Sequence, residues 1–274
     1  PSRVLRSNLA PMNSPSLAER RERQLAHDLG REEHLAQRAL TLAPLRTREQ
    51  LKQLAEVAAV KFADADADTV LAWVATEFGY RTTVACSMAD AVLPAVVAKH
   101  LPWVDTLFLD TGYHFAETVG TRDAVESSME LTIVDVLPRQ TVAEQDAEFG
   151  EKLYERDPAK CCELRKVEPL TRTLGGYEAW ITGVRRDESP LRADTPVVTW
   201  DEKNGLVKIN PLVDWSFDDL LAYGQEHDVI INPLVNDGYP SIGCAPCTRK
   251  VAPGEDPRSG RWAGFNKSEC GLHT

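Results

Sequence analysis

Two pairs of cysteines divide the second half of this sequence: Cys161 and Cys162 stand side by side, and Cys244-Ala245-Pro246-Cys247 follows after residues 163–243. Four thiols in two such groups can serve one soft metal centre only if the chain between them folds back on itself. A fifth thiol, Cys270, lies apart from both pairs in Glu269-Cys270-Gly271-Leu272-His273. The paired thiols read as ligands and the solitary one as a reagent.

Simpler readings compete. The sequence has no apolar signal segment at its start and no apolar run long enough to span a bilayer, so the expected compartment is a reducing cytoplasm, with no membrane association. Disulfides are then the minor reading. Structural zinc is the serious competitor, because CxxC is the usual half of a zinc knuckle. Adjacent cysteines, however, strain to place both sulfurs on one small ion, whereas an iron-sulfur cluster offers each its own iron. The geometry favours a cluster, and zinc stays open.

The length of 274 residues admits one large α/β domain with appendages, or two domains. The net charge is -11, yet residues 1–50 carry nine arginines against six acids, so the acidity lies in the remainder. That balance speaks against nucleic acid as a partner. Small basic islands persist within it, Arg185-Arg186 with Arg192 and a tail holding Arg249, Lys250, Arg258, Arg261 and Lys267, and islands of this size suit a small anion. A homo-oligomer is compatible with the sequence.

Residues 1–45 lack a strong apolar stripe and read as a loosely held N-terminal extension. Amphipathic patterns predict helices over 47–62 and 68–78. Short apolar runs then alternate with helical stretches: strands over 82–86, 106–109, 131–136 and 179–182, and helices over 90–100, 115–127, 141–154 and 161–174. Residues 197–200 and 206–209 form a hairpin across Lys203-Asn204-Gly205, and a capping box at Ser216 opens a helix to about 227. The alternation predicts an α/β fold with a doubly wound, mainly parallel sheet over 46–240, followed by a C-terminal segment over 241–274.

In such a sheet ligands gather outside the carboxyl ends of the strands. The segments there are Ser87-Met88-Ala89-Asp90, Asp110-Thr111-Gly112-Tyr113-His114 and Gly183-Val184-Arg185-Arg186-Asp187. Each alone reads as a cap, a turn or a surface patch; three on one sheet edge read as a site. Cys86, within the first strand, reads as a buried core thiol.

Residues 84–93 around Cys86-Ser87, residues 108–115 around Asp110-Thr111-Gly112, Cys161-Cys162-Glu163-Leu164-Arg165-Lys166, residues 180–186, Ile242-Gly243-Cys244-Ala245-Pro246-Cys247-Thr248 and Glu269-Cys270-Gly271-Leu272-His273 resemble the successive motifs of the assimilatory adenylyl sulfate reductases, the cluster-bearing branch of the phosphoadenylyl sulfate reductase family. The resemblance runs from about residue 80 to the end. It implies a fold akin to the adenine nucleotide alpha hydrolases, with their pyrophosphate loop degenerate here as Ser87-Met88-Ala89-Asp90. It also implies a 4Fe-4S cluster on Cys161, Cys162, Cys244 and Cys247, and Cys270 as the catalytic nucleophile on a C-terminal catalytic tail. Substrate contacts carried over by position are Ser87, Thr111, Gly112, Lys166, Gly183, Arg185, Arg186, Arg258 and Arg261.

The activity implied is reduction of adenylyl sulfate to sulfite and AMP, with thioredoxin as reductant and an S-sulfocysteine intermediate, in sulfate assimilation and cysteine biosynthesis. His273 reads as an ordinary tail histidine. Two readings of other kinds stay open on the residues alone: a zinc-binding or metal-free nucleotide hydrolase of the same fold, and a non-enzymatic iron-sulfur redox sensor.

Overall fold

Strands rich in Val, Ile, Leu and Thr that are buried on both faces are the signature of a parallel sheet covered by helices. In the computed structural model, which describes Leu29, Glu33, residues 45–262 and residues 271–272, six strands form one sheet. They are β1 (Thr82–Ala85), β2 (Asp105–Leu109), β3 (Thr132–Val136), β4 (Ala179–Thr182), β5 (Val198–Asp201) and β6 (Leu206–Ile209), in the order β3-β2-β1-β4-β6-β5. The central ones are buried on both faces, and the edge strands β3 and β5 are partly exposed. All pairings are parallel except β5 with β6, the expected hairpin, whose turn uses Gly205 at φ +74°.

Helices cover both faces. The larger core includes Leu71, Val84, Val97, Phe108, Ile181 and Ile209; a smaller one on the other side holds Leu107, Val136, Leu170, Leu174, Trp180 and Leu206. Helix α1 (Arg48–Lys61) begins at a Thr47–Gln50 capping box and buries Leu51, Ala55 and Ala58, a stripe at helical spacing. Helix α2 (Ala67–Glu77) is capped by Asp66, whose carboxylate accepts from the Thr69 amide at 2.7 Å, and buries Val70, Leu71 and Val74. Helices α3 (Val92–Ala98) and α4 (Ala116–Ser128) link the first three strands, and α9 (Phe217–Glu226) starts at the expected Ser216 box. No helix among the described residues is long and apolar enough to cross a membrane.

Two expected helices are built differently. The run over 141–154 splits into α5 (Val142–Phe149) and α6 (Leu153–Arg156), because Gly150 takes φ +82° and ends the first. The run over 161–174 starts earlier, at α7 (Pro158–Cys162), where the Asp157 side chain accepts from the Lys160 amide and Pro158 supplies a preset φ. It then passes through a π-helical turn, Glu163–Val167, before α8 (Glu168–Leu174). Such turns are rare and cluster at functional sites, since the extra residue re-aims the side chains around it.

At the amino ends of the strands, Glu178 is 1% exposed and meets Arg46 Nε and Arg81 Nη1, each at 3.1 Å. The Arg46 amide donates to the same carboxylate at 2.7 Å, which ties the start of α1 to the sheet. Glu178→Ala would leave both guanidinium groups facing a void. It should lower the unfolding free energy by about 2–4 kcal/mol in a urea titration.

Candidate active site

The chain lays down β1, β2 and β3 outward in one direction, then returns to place β4 on the other flank of β1. Where the order reverses, the loops after β1 and β4 diverge and leave a crevice at the carboxyl ends. A cavity of about 250 Å³ occupies it. From the loop after β1 come Ser87 and Asp90; from that after β2, His114; from that after β4, Gly183, Arg185, Glu188 and Arg192. Lys166 enters from the π turn, and Arg258, Arg261 and Trp262 from the C-terminal segment. One wall is apolar, with Leu93, Phe217, Leu220 and Ile231.

Beside this cavity lies a narrow cleft lined by Cys161, Cys162, Cys244 and Cys247. The two pairs meet, so the chain does fold back as the spacing requires. Lys166, Arg261 and Trp262 line both the cleft and the cavity. These cysteines and Cys86 are free thiols. Burial, and then the neighbouring thiols, push Cys161 up to about 12. Burial and Cys244 push Cys247 up to about 11. Cys244 goes the other way: burial raises it, but the Lys166 ammonium, hydrogen bonds from Thr111 and Lys166, and Arg261 outweigh that and lower it. Among the described residues no three His, Cys, Asp or Glu side chains are gathered as ligands of one metal ion. Four thiols lining one cleft are donors that an iron-sulfur cluster or a zinc ion can take.

Of the predicted substrate contacts, Ser87, Lys166, Gly183, Arg185, Arg258 and Arg261 line the cavity, whereas Thr111, Gly112 and Arg186 do not. Thr111 is fully buried, with its hydroxyl 3.3 Å from Cys244 Sγ. Gly112 has φ +72°, and a Cβ there would meet Val142 and the Arg165 guanidinium at 3.0 and 3.1 Å. It lies exposed at the surface, close against the buried Arg165. Arg186 turns outward, donating to the Thr195 carbonyl and pairing with Asp214. Its charge is thereby neutralised away from the crevice.

Sequence reasoning passes over Arg165, which reads as one more charge on a helix. In the fold it is 4% exposed, donates to the carbonyls of Thr111 and Gln140 and to Gln145 Oε1, and stacks 5.3 Å from the Tyr113 ring centroid. It fastens the loop after β2 to the element carrying Cys161 and Cys162. The Tyr113 carbonyl in turn accepts from the Ala245 amide at 2.7 Å, joining the second cysteine pair to the same loop. Asp90, in the strand-end segment singled out in the sequence, lines the cavity; burial raises its pKa, against the Val92 hydrogen bond and Arg185. Burial lowers His114, whose Nε2 lies 2.8 Å from the Leu109 carbonyl. Glu188 pairs with Arg192, and Asp187 with Arg185 at 3.1 Å.

Cys86 lies on the cavity wall as well as against the core, and its thiol donates to the Asp90 carbonyl at 3.3 Å. Burial and the Asp90 charge push it up to about 12, which leaves almost no thiolate at neutral pH. Cys270 and His273 lie outside the described residues. The two residues between them, Gly271 and Leu272, are described: Lys203 Nζ donates to the Gly271 carbonyl at 3.3 Å, and Leu272 lines the cavity against the smaller core.

This arrangement matches known proteins. A protein from Streptomyces coelicolor named adenosine 5'-phosphosulfate reductase is 59% identical over 228 residues, covering 83% of this chain and 97% of its own. One of the same name from Mycolicibacterium smegmatis is 56% identical over 227 residues, covering 83% and 96%. The crystal structure of a phosphoadenylyl-sulfate reductase from Candida auris, in complex with phosphate, has a TM-score of 0.61 at 26% identity, over 77% of this chain and 100% of that one. The family model of the phosphoadenosine phosphosulfate reductase domain matches residues 72–250, through β1 to β6 and both cysteine pairs, and the chain belongs to that family.

Proposed function

We propose that this chain reduces adenylyl sulfate to sulfite and AMP, in sulfate assimilation and in the cytoplasm, with thioredoxin as the reductant. The observation that carries the reading is the wall shared by the cysteine cleft and the switch-point cavity, where Lys166 and Arg261 stand between the two. The names of the relatives, at 50–59% identity, supply the substrate. Cys161, Cys162, Cys244 and Cys247 would hold a 4Fe-4S cluster, which when bound would tie the two cysteine pairs together and rigidify the wall beside the substrate cavity.

The nucleotide lies in the crevice with its sulfate toward Lys166, Arg258 and Arg261. The Cys270 thiolate attacks the sulfate sulfur, the bond from sulfur to the bridging phosphate oxygen breaks, and AMP leaves with that electron pair. A Cys270–SO3 adduct remains. One thioredoxin thiolate then attacks Cys270 Sγ and expels sulfite; the second resolves the mixed disulfide, so that thioredoxin leaves oxidised and Cys270 returns as a thiol. The cations lower the barrier by opposing charge that develops on the phosphate and by drawing two anions together. Removing one such contact costs roughly 100-fold in rate. Cys86 cannot substitute readily, because its thiol stays protonated.

Anaerobically purified protein should be brown, with iron and inorganic sulfide in equal amounts. Serine at Cys161, Cys162, Cys244 or Cys247 should abolish colour and activity together. Stoichiometric zinc without sulfide would refute the cluster.

Cys270→Ser should retain colour and AMP binding yet release no sulfite from adenylyl sulfate with reduced thioredoxin. Wild-type protein given substrate without reductant should gain one SO3 on the Cys270 peptide by mass spectrometry; an adduct on Cys86 would displace Cys270 from this role. In steady-state kinetics kcat/KM should favour adenylyl sulfate over its 3'-phosphorylated relative.

A further inference from the structure

The loop after β1 does not hold its own shape. Met88 sits in the left-handed region at φ 57°, where a residue with a Cβ is strained by about 1–2 kcal/mol, and Ser87-Met88-Ala89-Asp90 contains no glycine to relieve it. Yet Ser87, Ala89 and Asp90 all line the cavity. Something must fix the peptides between them. On one side the Met88 side chain is fully buried in the larger core. On the other stands Asn232, from a segment remote in sequence and with no exposed surface.

Every polar atom of Asn232 is engaged. Its amide Nδ2 donates to the Met88 carbonyl at 3.0 Å and to Thr118 Oγ1 at 3.2 Å, and its backbone N–H donates to the Ala89 carbonyl at 3.1 Å. The Ala91 amide donates to the Ile230 carbonyl at 2.9 Å, so residues 230–232 form a short antiparallel patch against the loop. Asn232 Oδ1 meanwhile accepts from the Leu234 amide at 3.0 Å and caps α10 (Pro233–Asn236). Ile231 and Val235, on either side of it, line the same cavity.

We propose that Asn232 is a positioning residue for nucleotide binding: its side-chain amide holds the Met88 carbonyl and thereby fixes Ser87 and Asp90 in the cavity wall that the adenylyl ligand meets. The proposal rests on the function given above. Only an amide can donate to the loop and cap the helix with one side chain. Asp keeps the size and the cap but turns an acceptor toward the Met88 carbonyl. Ser keeps a cap and falls short of the loop.

The test is AMP affinity by titration calorimetry beside the melting temperature. Asn232→Asp and Asn232→Ser should each weaken AMP binding by about tenfold or more and raise KM for adenylyl sulfate, while adduct formation on Cys270 at saturating substrate stays near the wild-type rate. Thr118→Val removes the other partner of the same amide without touching the Met88 bond; it should lower the melting temperature and leave AMP affinity unchanged. Should Asn232→Asp fail to fold, Asn232→Ser carries the test. Wild-type AMP affinity in the Asn232 variants overturns the proposal, as does an equal loss in Thr118→Val at equal loss of stability. Wild-type protein that binds no AMP would overturn the proposed function as well.

Discussion

The parallel ladder between β1 and β4 is the constraint on which the rest depends. Thr82 to Ala85 pair in register with Ala179 to Thr182, two short segments separated by nearly a hundred residues. Once they pair, the loop at Ser87 and the loop at Gly183 leave the sheet side by side at the point where strand order reverses. The crevice follows from that reversal and not from any local motif. The intervening chain, having crossed through β2 and β3, returns along α7 and α8 with its cysteine pair at the edge of the same crevice. Long-range pairing thus supplies the position, and loop chemistry supplies the contacts.

Charge in the crevice is divided. Toward the cysteines stand Lys166 and Arg261, with Arg258 elsewhere on the cavity wall; toward the loop after β4, Arg185 and Arg192 are met by Asp187 and Glu188 from their own turn. The proposed function sets the transferable anionic group against the first region, while the second stays close to balanced. The neighbours Arg165 and Lys166 act in different surroundings. Arg165 is buried in a web of carbonyls that binds the loop after β2, whereas Lys166 faces the Cys244 thiol and the cavity. The π turn that carries both is the local distortion that this double use entails.

Much of this was legible beforehand because it is written in local pattern. The capping box at Ser216, the Gly205 turn and the alternation of apolar runs each report on a few adjacent residues, and the backbone obeys them. Helix ends were less legible where a competing local signal prevailed, as at Gly150 or at the Asp157 cap ahead of Cys161. Arg186 adjoins Arg185 in sequence, but it opens a 3-10 turn and pairs with Asp214, and only Arg185 lines the cavity.

By itself the sequence determined the fold class, the spacing of the two cysteine pairs and the strand-end loops from which a site could be made, because each depends on residue type and short-range periodicity. Only the tertiary structure decided that Thr111 sets its hydroxyl against Cys244, that Arg165 is buried, and that Asn232 reaches back to Met88. Those facts depend on which distant segments share a wall. A polar side chain reads the same in sequence whether water or a buried carbonyl will satisfy it, and the difference arises only when packing removes the water.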